Sequence, residues 1–384
     1  MINILILIDC SPGFSRRFLG GLSRYSNENG PWNLYYLTPY YKNLSGEGGI
    51  LQRIREQHID AVIVQWEYED FGFLEKLDIP VFIQNGREAS SRFSKIAGSD
   101  PNSGSMAARF FIQKGFKNFA FYGNNNFFWS KQRAEGFRRE IQQSAEHYAY
   151  FESEELQGAE GDGKQIDLNR WLMALPKPVG VFACDDIFAL QVAEICKMNR
   201  IDIPNEVSLL GIDNDEFICN LSNPPLSSIV IDDEKEGYTA GEMLHRLIRE
   251  KSNEPFTIAV EPLRIELRQS TGKYAVTDPC VLKVIDYIDE NIASCLSVER
   301  LTELVPLSRR TLEIRFRKAM GISVHQFIMK QKVDYIARLL PGWDKDLIDI
   351  ALGVGFKDVR SLFRLFKKYK GCAPVEYRKK FFNK

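Results

Sequence analysis

The sequence predicts a parallel α/β body followed by an all-helical, basic C-terminal domain. Three observations carry that expectation. Short apolar runs alternate with amphipathic segments through the first 270 residues, those runs stop at a polar stretch, "RQSTGKYAVTDP" (268–279), and the charge balance changes sign at the same place. Alternation of this kind is the signature of a sheet with helices on both faces, and strands covered on both faces read as unbroken Val/Ile/Leu/Phe runs.

The elements follow in order. "NILILID" (3–9) reads as a strand, "RRFLGGLSRYSNENG" as a helix ending at Gly30, "NLYYLTP" as a strand, "GILQRIREQH" as a helix and "DAVIVQW" as a strand. Next come a short helix, "FGFLEKLD", a strand, "IPVFIQN", a helix, "NSGSMAARFFIQKG", and a strand, "FKNFAFYG". Further along, "VGVFACD" and "VSLLGID" are strands, while "DIFALQVAEICKMNR" and "EKEGYTAGEMLHRLIREK" are helices. After Asp278-Pro279, a cap followed by Pro at the first helical position, every segment is helical.

Composition narrows the function classes. At 384 residues the chain is long enough for two or three domains. The segment 277–384 holds 21 Lys and Arg against 13 Asp and Glu, which leaves 29 against 38 for the rest of the chain. A basic module on an acidic body suggests a polyanion partner. The N-terminal apolar run is about seven residues, too short to span a membrane, and has no basic n-region. The cytoplasm is therefore the expected location, with no membrane partner. The seven cysteines form no pair at knuckle or redox spacing, so no metal and no cofactor is expected. No strand is followed by a dinucleotide fingerprint, and there is no phosphate loop, nucleophile elbow or His-Glu-x-x-His. The four histidines assemble no catalytic constellation, so the chain is expected not to be an enzyme. An α/β kinase or hydrolase with a helical appendage would show one of those motifs, and a sugar-transport component would show a signal peptide without a basic tail.

Ligands of parallel sheets sit beyond the carboxyl ends of the strands. The polar residues there are Asp9, Asn85, Asp100, Asp185 and Asp213. Each alone suits an N-cap or a turn. Together they suit a polyhydroxylated or amine ligand, whose hydroxyls need planar acceptors. The segment "NNNFFWSKQRAEGF" adds Phe127, Phe128 and Trp129 beside Arg133, and Phe14 and Arg16 after the first strand complete the candidate set.

Within the helical domain, a pattern recurs in "LSVERLTELVPLSRRTLEIRFRKAMGIS" (296–323) and "LIDIALGVGFKDVRSLFRLFKKYKGCAP" (347–374). Leu312, Phe316, Lys318 and Gly321 match Leu362, Phe366, Lys368 and Gly371, with one long helix between the copies. This is a duplicated helix-turn-helix, whose second helix fits the major groove. The base-reading candidates are Arg309, Arg310, Arg360 and Arg364, with Glu313 accepting from cytosine and Val359 and Phe363 meeting thymine methyls. Lys318, Lys367 and Lys368 are candidates for phosphate contacts.

Through "IDIALGVGFKDVRSLFRLFKKYKGCAPVEYRKK", the last hundred residues resemble the DNA-binding domain of the AraC family of bacterial transcription regulators. Pro306 departs from the small residue common in its turn, and Ile314 stands where a basic residue is frequent. The first 270 residues resemble the periplasmic-binding-protein-like sensor of the LacI group through "AGSDPNSGSMAARFFIQKGFKNFAFYG", "RAEGF", "VFACDDIFAL" and "LLGIDNDEF". There the resemblance places Asp100, Arg133, Asp185 and Asp213 in or beside a sugar cleft, and Cys184 stands where Asn is common. It implies a two-lobed sensor at 1–268, a linker at 269–278 and a DNA-binding domain at 279–384. The implied function is a homodimeric transcription regulator of sugar-catabolism genes, binding double-stranded DNA and a monosaccharide effector, xylose or another pentose. Activation and repression both fit.

Overall fold

The computed structural model describes every residue except 39, 67–71, 87–92, 98, 154–161, 272–273, 275, 277, 295, 341–350, 357 and 383–384. The chain divides into two compact units: Met1–Ile112 with Phe116–Lys273, and Tyr274–Lys384, with Gln113–Gly115 grouped with the latter.

The first unit contains two six-stranded sheets. One is built from β1 (Asn3–Leu7), β2 (Asn33–Leu37), β3 (Ala61–Trp66), β4 (Val81–Gly86), β5 (Ser94–Ala97) and the late β11 (Thr257–Ala259). Its order is β11-β5-β4-β3-β1-β2 and every pairing is parallel. The other uses β6 (Asn118–Asn124), β7 (His147–Ser153), β8 (Val179–Ala183), β9 (Val207–Ile212), β10 (Ser227–Val230) and β12 (Arg264–Glu266). Its order, β12-β10-β9-β8-β6-β7, repeats that of the first sheet, and β12 alone runs antiparallel. Central strands are buried on both faces, as the apolar runs require: Val179–Ala183 and Val207–Ile212 are buried at every residue. The edge strand β7, "HYAYFES", carries polar residues among its aromatics and was not legible as a strand, because an edge strand has fewer neighbours to cover it.

The helices of this unit are α1 (Gly13–Glu28), α2 (Tyr40–Glu56), α3 (Ser99–Gln113), α4 (Phe128–Ile141), α5 (Asp162–Ala174), α6 (Asp186–Met198), α7 (Glu216–Leu221) and α8 (Asp233–Glu250). The chain passes between the sheets through α3, α8 and the segment joining β11 to β12. Helices α1 and α8 pack backbone to backbone. A Cβ at Gly21 would stand 1.8 Å from the Glu234 carbonyl oxygen, and one at Gly237 would stand 1.8 Å from that of Phe18. Only glycine permits that approach. Gln269–Thr271, the start of the stretch expected to link the domains, forms a 3-10 turn docked on this unit. Ser270 donates to the Leu209 carbonyl at 2.6 Å, and Ser227 and Thr271 share a hydroxyl hydrogen bond of 2.6 Å.

The second unit contains α9 (Pro279–Glu290), α10 (Val298–Thr302), α11 (Arg309–Met320), α12 (Val324–Leu339), α13 (Val359–Lys370) and α14 (Pro374–Phe382). Asp278 caps α9, with Pro279 in its first turn. The unit's described residues form two cores. Val284, Ile288, Leu301, Leu312, Phe316 and Phe327 belong to the first, and Ile336, Leu340, Ala351, Phe356, Leu362 and Phe366 to the second. Helix α12 joins them, because its N-terminal Val324, Phe327 and Ile328 enter one and its later Val333, Ile336 and Ala337 enter the other.

The duplication seen in the sequence is a structural repeat with a constant offset of 50 residues. Ser308 and Asp358 cap the N-termini of α11 and α13, and Gly321 and Gly371 end them at φ 71° and 78°. Left-handed C-caps of this kind favour glycine. Phe316 meets Phe327 edge-on at 5.4 Å, and Phe366 meets Tyr377 edge-on at 5.4 Å. Gln326 and Glu376 each accept a backbone N–H from three residues upstream, Ser323 and Ala373. Ile350, the next apolar position before Ala351, lies outside the described residues.

Candidate functional site

In the first unit the carboxyl ends of the two sheets converge on one network of charge. Arg133, on the first turns of α4, is 8 % exposed. Its Nε donates to Asp100 Oδ1 at 2.9 Å, one terminal nitrogen donates to the Cys184 carbonyl at 2.6 Å, and the other lies 3.5 Å from Asp213 Oδ1. Its guanidinium sits 4.8 Å from the Trp129 ring centroid, and Phe127 stacks on the same ring at 5.0 Å. Asp100 opens α3, Cys184 follows β8 and Asp213 follows β9, so three elements distant in sequence meet at one side chain. Burial opposes the charge of Arg133, but Asp213 and Asp100 outweigh it and hold the guanidinium protonated far above its ordinary range. Burial likewise pushes the Asp100 carboxyl up, against the pull of Arg133.

Of the residues expected here, Asp100, Trp129, Arg133, Asp185 and Asp213 come together. Asp185 caps α6 by accepting from the Phe188 N–H at 2.7 Å, and burial raises its carboxyl to about 7. It is thus a cap and a neighbour of the network at once. Asp213 sits at φ 96° and Asn214 at φ 49°, a left-handed turn of the kind Asp and Asn tolerate better than other side chains. Three hydrogen bonds hold it: the Asp213 N–H to the Ile229 carbonyl at 3.0 Å, the Asn214 N–H to Ser228 Oγ at 2.9 Å, and Arg268 to Asn214 Oδ1 at 2.8 Å. Asp9 instead turns onto its own loop, accepting from the Ser11 N–H at 2.9 Å while its own N–H donates to Gln65. Arg16 donates to the Cys10 and Ser11 carbonyls and lies 3.6 Å from Asp215. Phe14 is half-buried in the first turn of α1, and Phe128 is exposed. The side chain of Asn85 lies outside the described residues, although its backbone belongs to the last part of β4.

Several residues around this network escaped the sequence reading. Arg17 donates twice to Asp233 Oδ2, at 2.9 and 2.6 Å, and once to the Asp213 carbonyl at 2.5 Å. Asp215 accepts from the Gly13 N–H at 2.8 Å and thereby ties the end of β9 to the start of α1. Asp186, only 2 % exposed, accepts from Ser228 Oγ at 2.6 Å and from the Asp215 N–H at 2.8 Å. Burial raises the carboxyls of Asp186 and Asp233, the latter to about 7 even beside Arg17. Glu236, one turn beyond Asp233 on α8, is 8 % exposed. The acidic run "IDDEKE" and the doubled "CDDIF" were the available signals, but both also suit the acid-rich first turn of any helix.

The arrangement has more acceptors than donors. Such a site can hold a molecule that donates several hydrogen bonds, and Arg133 can donate back to it.

In the second unit, helical spacing sorts the candidates onto faces. Positions 310, 313, 314 and 317 of α11 lie on one side, as do 360, 363, 364 and 367 of α13. The first face reads Arg, Glu, Ile, Arg and the second reads Arg, Phe, Arg, Lys. Arg310, Ile314, Arg317, Arg360, Arg364 and Lys367 are exposed, as are Lys318 and Lys368 at the next position. Arg317 belongs with the candidates and was missed. Arg309 forms a salt bridge with Glu299, and Glu313 accepts from the Val324 N–H at 3.4 Å, so both already serve the local helix junctions. Val359 packs against the second core, whereas Phe363 is not among the side chains packed there.

Comparison with known proteins agrees with both halves. A periplasmic binding protein-like domain family matches residues 108–271, and a helix-turn-helix domain family matches residues 301–380. The xylose operon regulatory protein of Haemophilus influenzae is 26% identical over 98% of both chains, and that of Escherichia coli K12 is 25% identical over 98% of this chain and 96% of its own. The structure of a xylose-binding transcription activator, xylR, superposes with a TM-score of 0.62 at 24% identity, covering 99% of this chain and 98% of that one. A LacI-type regulator from Alkaliphilus metalliredigens in complex with D-xylulofuranose covers 70% of this chain and 98% of its own, with a TM-score of 0.54 and 22% identity.

Proposed function

We propose that this chain, an AraC-type transcription regulator whose sensor is periplasmic-binding-protein-like, binds a monosaccharide at the Arg133 network and double-stranded DNA through α11 and α13. The effector is xylose or another pentose. The observation that carries this reading is the coexistence in one chain of a buried, acceptor-rich network at converging strand ends and a capped, duplicated recognition helix. Neither feature alone would specify a ligand-responsive DNA reader. The similarity to xylose operon regulatory proteins over nearly the whole chain supports the choice of sugar.

In this mechanism sugar hydroxyls donate to Asp100, Asp185 and Asp213 while Arg133 donates to a sugar oxygen. Binding favours a closed arrangement of the two sheets because the carboxylates and Arg133 come from elements of both halves of the sensor. A ligand shifts such an equilibrium only by its difference in affinity for the two states. Closure reorients a cytoplasmic homodimer so that its basic domains reach operator half-sites. Arg310, Arg360 and Arg364 read bases, with guanine the preferred partner of arginine, and Lys318, Lys367 and Lys368 hold phosphates. Each domain places α11 and α13 in successive major-groove segments about one turn, ~34 Å, apart. Cys184, standing where related sugar sensors commonly carry Asn, favours a second reading in which the effector is a different monosaccharide.

A thermal-shift screen of pentoses and hexoses against the full chain tests the sensor. Xylose or a close pentose is expected to raise the melting temperature, and no shift with any sugar at millimolar concentration would remove the sensor reading. For the other half, the full chain should bind its own upstream region with an affinity that falls steeply with salt. Salt-independent or absent binding would remove the regulator reading.

A further inference from the structure

The turn formed by Asp213, Asn214 and Asp215 is gripped from two directions. Its own half of the sensor supplies one grip: the Asp213 N–H donates to the Ile229 carbonyl, the Asn214 N–H to Ser228 Oγ, and the Asp215 N–H to Asp186 Oδ2. The other grip comes from α1, which follows β1 and whose Phe18 stacks on Phe82 of β4 at 5.8 Å, so that it belongs to the first sheet. At one end of the turn Arg17 donates to the Asp213 carbonyl at 2.5 Å. At the other end the Gly13 N–H donates to Asp215 Oδ2 at 2.8 Å, and Arg16 lies 3.6 Å from the same oxygen. Arg17 is itself oriented, because its Nε and the terminal nitrogen that reaches Asp213 both donate to Asp233 Oδ2, at 2.9 and 2.6 Å. The contact leaves no slack. A Cβ at Gly13 would stand 2.7 Å from Asp215 Oδ2 and 3.1 Å from the second terminal nitrogen of Arg17. Asp213 Oδ1 faces Arg133 at 3.5 Å, and its φ of 96° is one that few side chains adopt. The direction of that carboxylate therefore depends on what holds the backbone on either side of it.

We infer that Arg17 is a positioning residue for the effector site: from the first sheet's half of the sensor it holds the Asp213 carbonyl and so aims the Asp213 carboxylate at the bound sugar, with the Gly13–Asp215 contact fixing the far end of the turn. The inference rests on the proposal that the network binds a monosaccharide. Arg17 acts without touching the sugar. Its consequence is a coupling between the halves. The acceptor that the second sheet offers is in place only when α1 grips the turn, so a sugar that uses Asp213 favours that arrangement by its difference in affinity for the two. The chemistry asks for arginine. A guanidinium donates along several directions of one plane and can hold Asp233 and the Asp213 carbonyl together, whereas a lysine ammonium is a compact charge on a flexible stem and lacks that fork.

The experiment measures sugar affinity by isothermal titration calorimetry, and empty-state melting temperature, on the full chain. The ligand is xylose, or whichever pentose gives the largest thermal shift. The proteins are the wild type, Arg17→Lys, Gly13→Ala, Asp213→Asn and the double variants that combine Asp213→Asn with each of the first two. Arg17→Lys keeps a cation beside Asp233 and is expected to weaken sugar binding roughly 10-fold, the effect of losing one hydrogen bond from a charged group. Gly13→Ala changes no charge but wedges a methyl group between α1 and the turn, and should weaken binding in the same direction. Asp213→Asn keeps one acceptor oxygen and measures how much of the binding passes through that carboxylate. Because Arg17 acts through Asp213, each double variant should bind no more weakly than Asp213→Asn alone, whereas independent contributions would multiply. The Gly13→Ala cycle carries the test if Arg17→Lys does not fold. Unchanged affinity in Arg17→Lys and Gly13→Ala, with wild-type binding intact and only the melting temperature lowered, makes the contact purely structural and overturns the inference. Losses that multiply with that of Asp213→Asn also overturn it. If the wild type binds no sugar, the sensor reading itself fails, and this inference with it.

Discussion

In the sensor Arg133 is buried and fixed by Asp100, Asp213, the Cys184 carbonyl and the Trp129 face, whereas on α11 and α13 Arg310, Arg360 and Arg364 stand exposed on helices held by apolar residues. The same side chain thus serves opposite ends. In the sensor a small neutral ligand has to be recognised through few contacts, so the guanidinium must be desolvated and oriented before the ligand arrives. On the DNA face the partner brings its own charge and a broad surface, and a long flexible cation in water suffices until the groove orders it. The contrast predicts that substitutions in the sensor network disturb folding and binding together, while substitutions on the DNA face separate them.

The largest effect is expected for Arg133→Ala. It leaves the half-buried Asp100 and Asp213 without their shared counter-charge, which should cost up to about 3–5 kcal/mol of sensor stability and abolish the sugar-induced shift. Chemical unfolding with and without sugar measures both. A variant that binds no sugar but keeps wild-type stability would break the comparison on the sensor side.

Next are Leu312→Ala and Leu362→Ala, each fully buried at the same repeat position. Each should cost about 2–5 kcal/mol, read as unfolding of the helical unit followed by circular dichroism. Similar values would show that the two repeats pack alike, and a small value at 362 alone would show that the second core is looser.

Arg360→Ala should change stability by less than about 0.5 kcal/mol and weaken binding to the preferred operator by about 1–3 kcal/mol, with relaxed preference at one base pair. Lys368→Ala should weaken binding evenly across sequences and lower the magnitude of the salt slope by about one. If Arg360→Ala lowered affinity equally for every sequence, Arg360 would be a phosphate contact.

The smallest effect is a slope against pH. Asp185 and Asp233 carry carboxyls raised by burial to about 7, above the unfolded value of about 3.9. The folded protein therefore holds protons that the unfolded chain has released, so empty-sensor stability is fullest below pH ~4 and declines as pH rises to about 7. Asp185→Asn keeps a helix cap and removes one titrating group. Melting temperature against pH should fall less steeply in that variant without becoming flat, since Asp233 titrates in the same window. An unaltered slope would remove Asp185 as a contributor.

The DNA reader was more legible in the chain than the effector site. Leu312, Phe316 and Gly321 recur 50 residues later as Leu362, Phe366 and Gly371, and a helix's period and caps are local, so the repeat could be seen without knowing how the chain packs. The outer face followed from spacing, except that Val359 turned to the core and Arg317 joined the exposed side. In the sensor the sequence located Asp100, Asp185 and Asp213 at strand ends, but strand-end acids also cap helices, and Asp185 does. Nothing local distinguished Asp9, which closes its own loop, from Asp213, which faces Arg133.

By itself the sequence determined the parallel α/β body, the helical repeat and the division of charge between them, because hydrophobic period and turn chemistry act over a few residues. Only the tertiary structure decided which acids share a cation. Arg17 reaches Asp233 across 216 positions, and the Gly13 N–H reaches Asp215 across 202. The first of these pairings joins α1 to α8, which glycines at 21 and 237 let touch backbone to backbone. Electrostatics between distant segments is a property of the folded chain that no local pattern encodes.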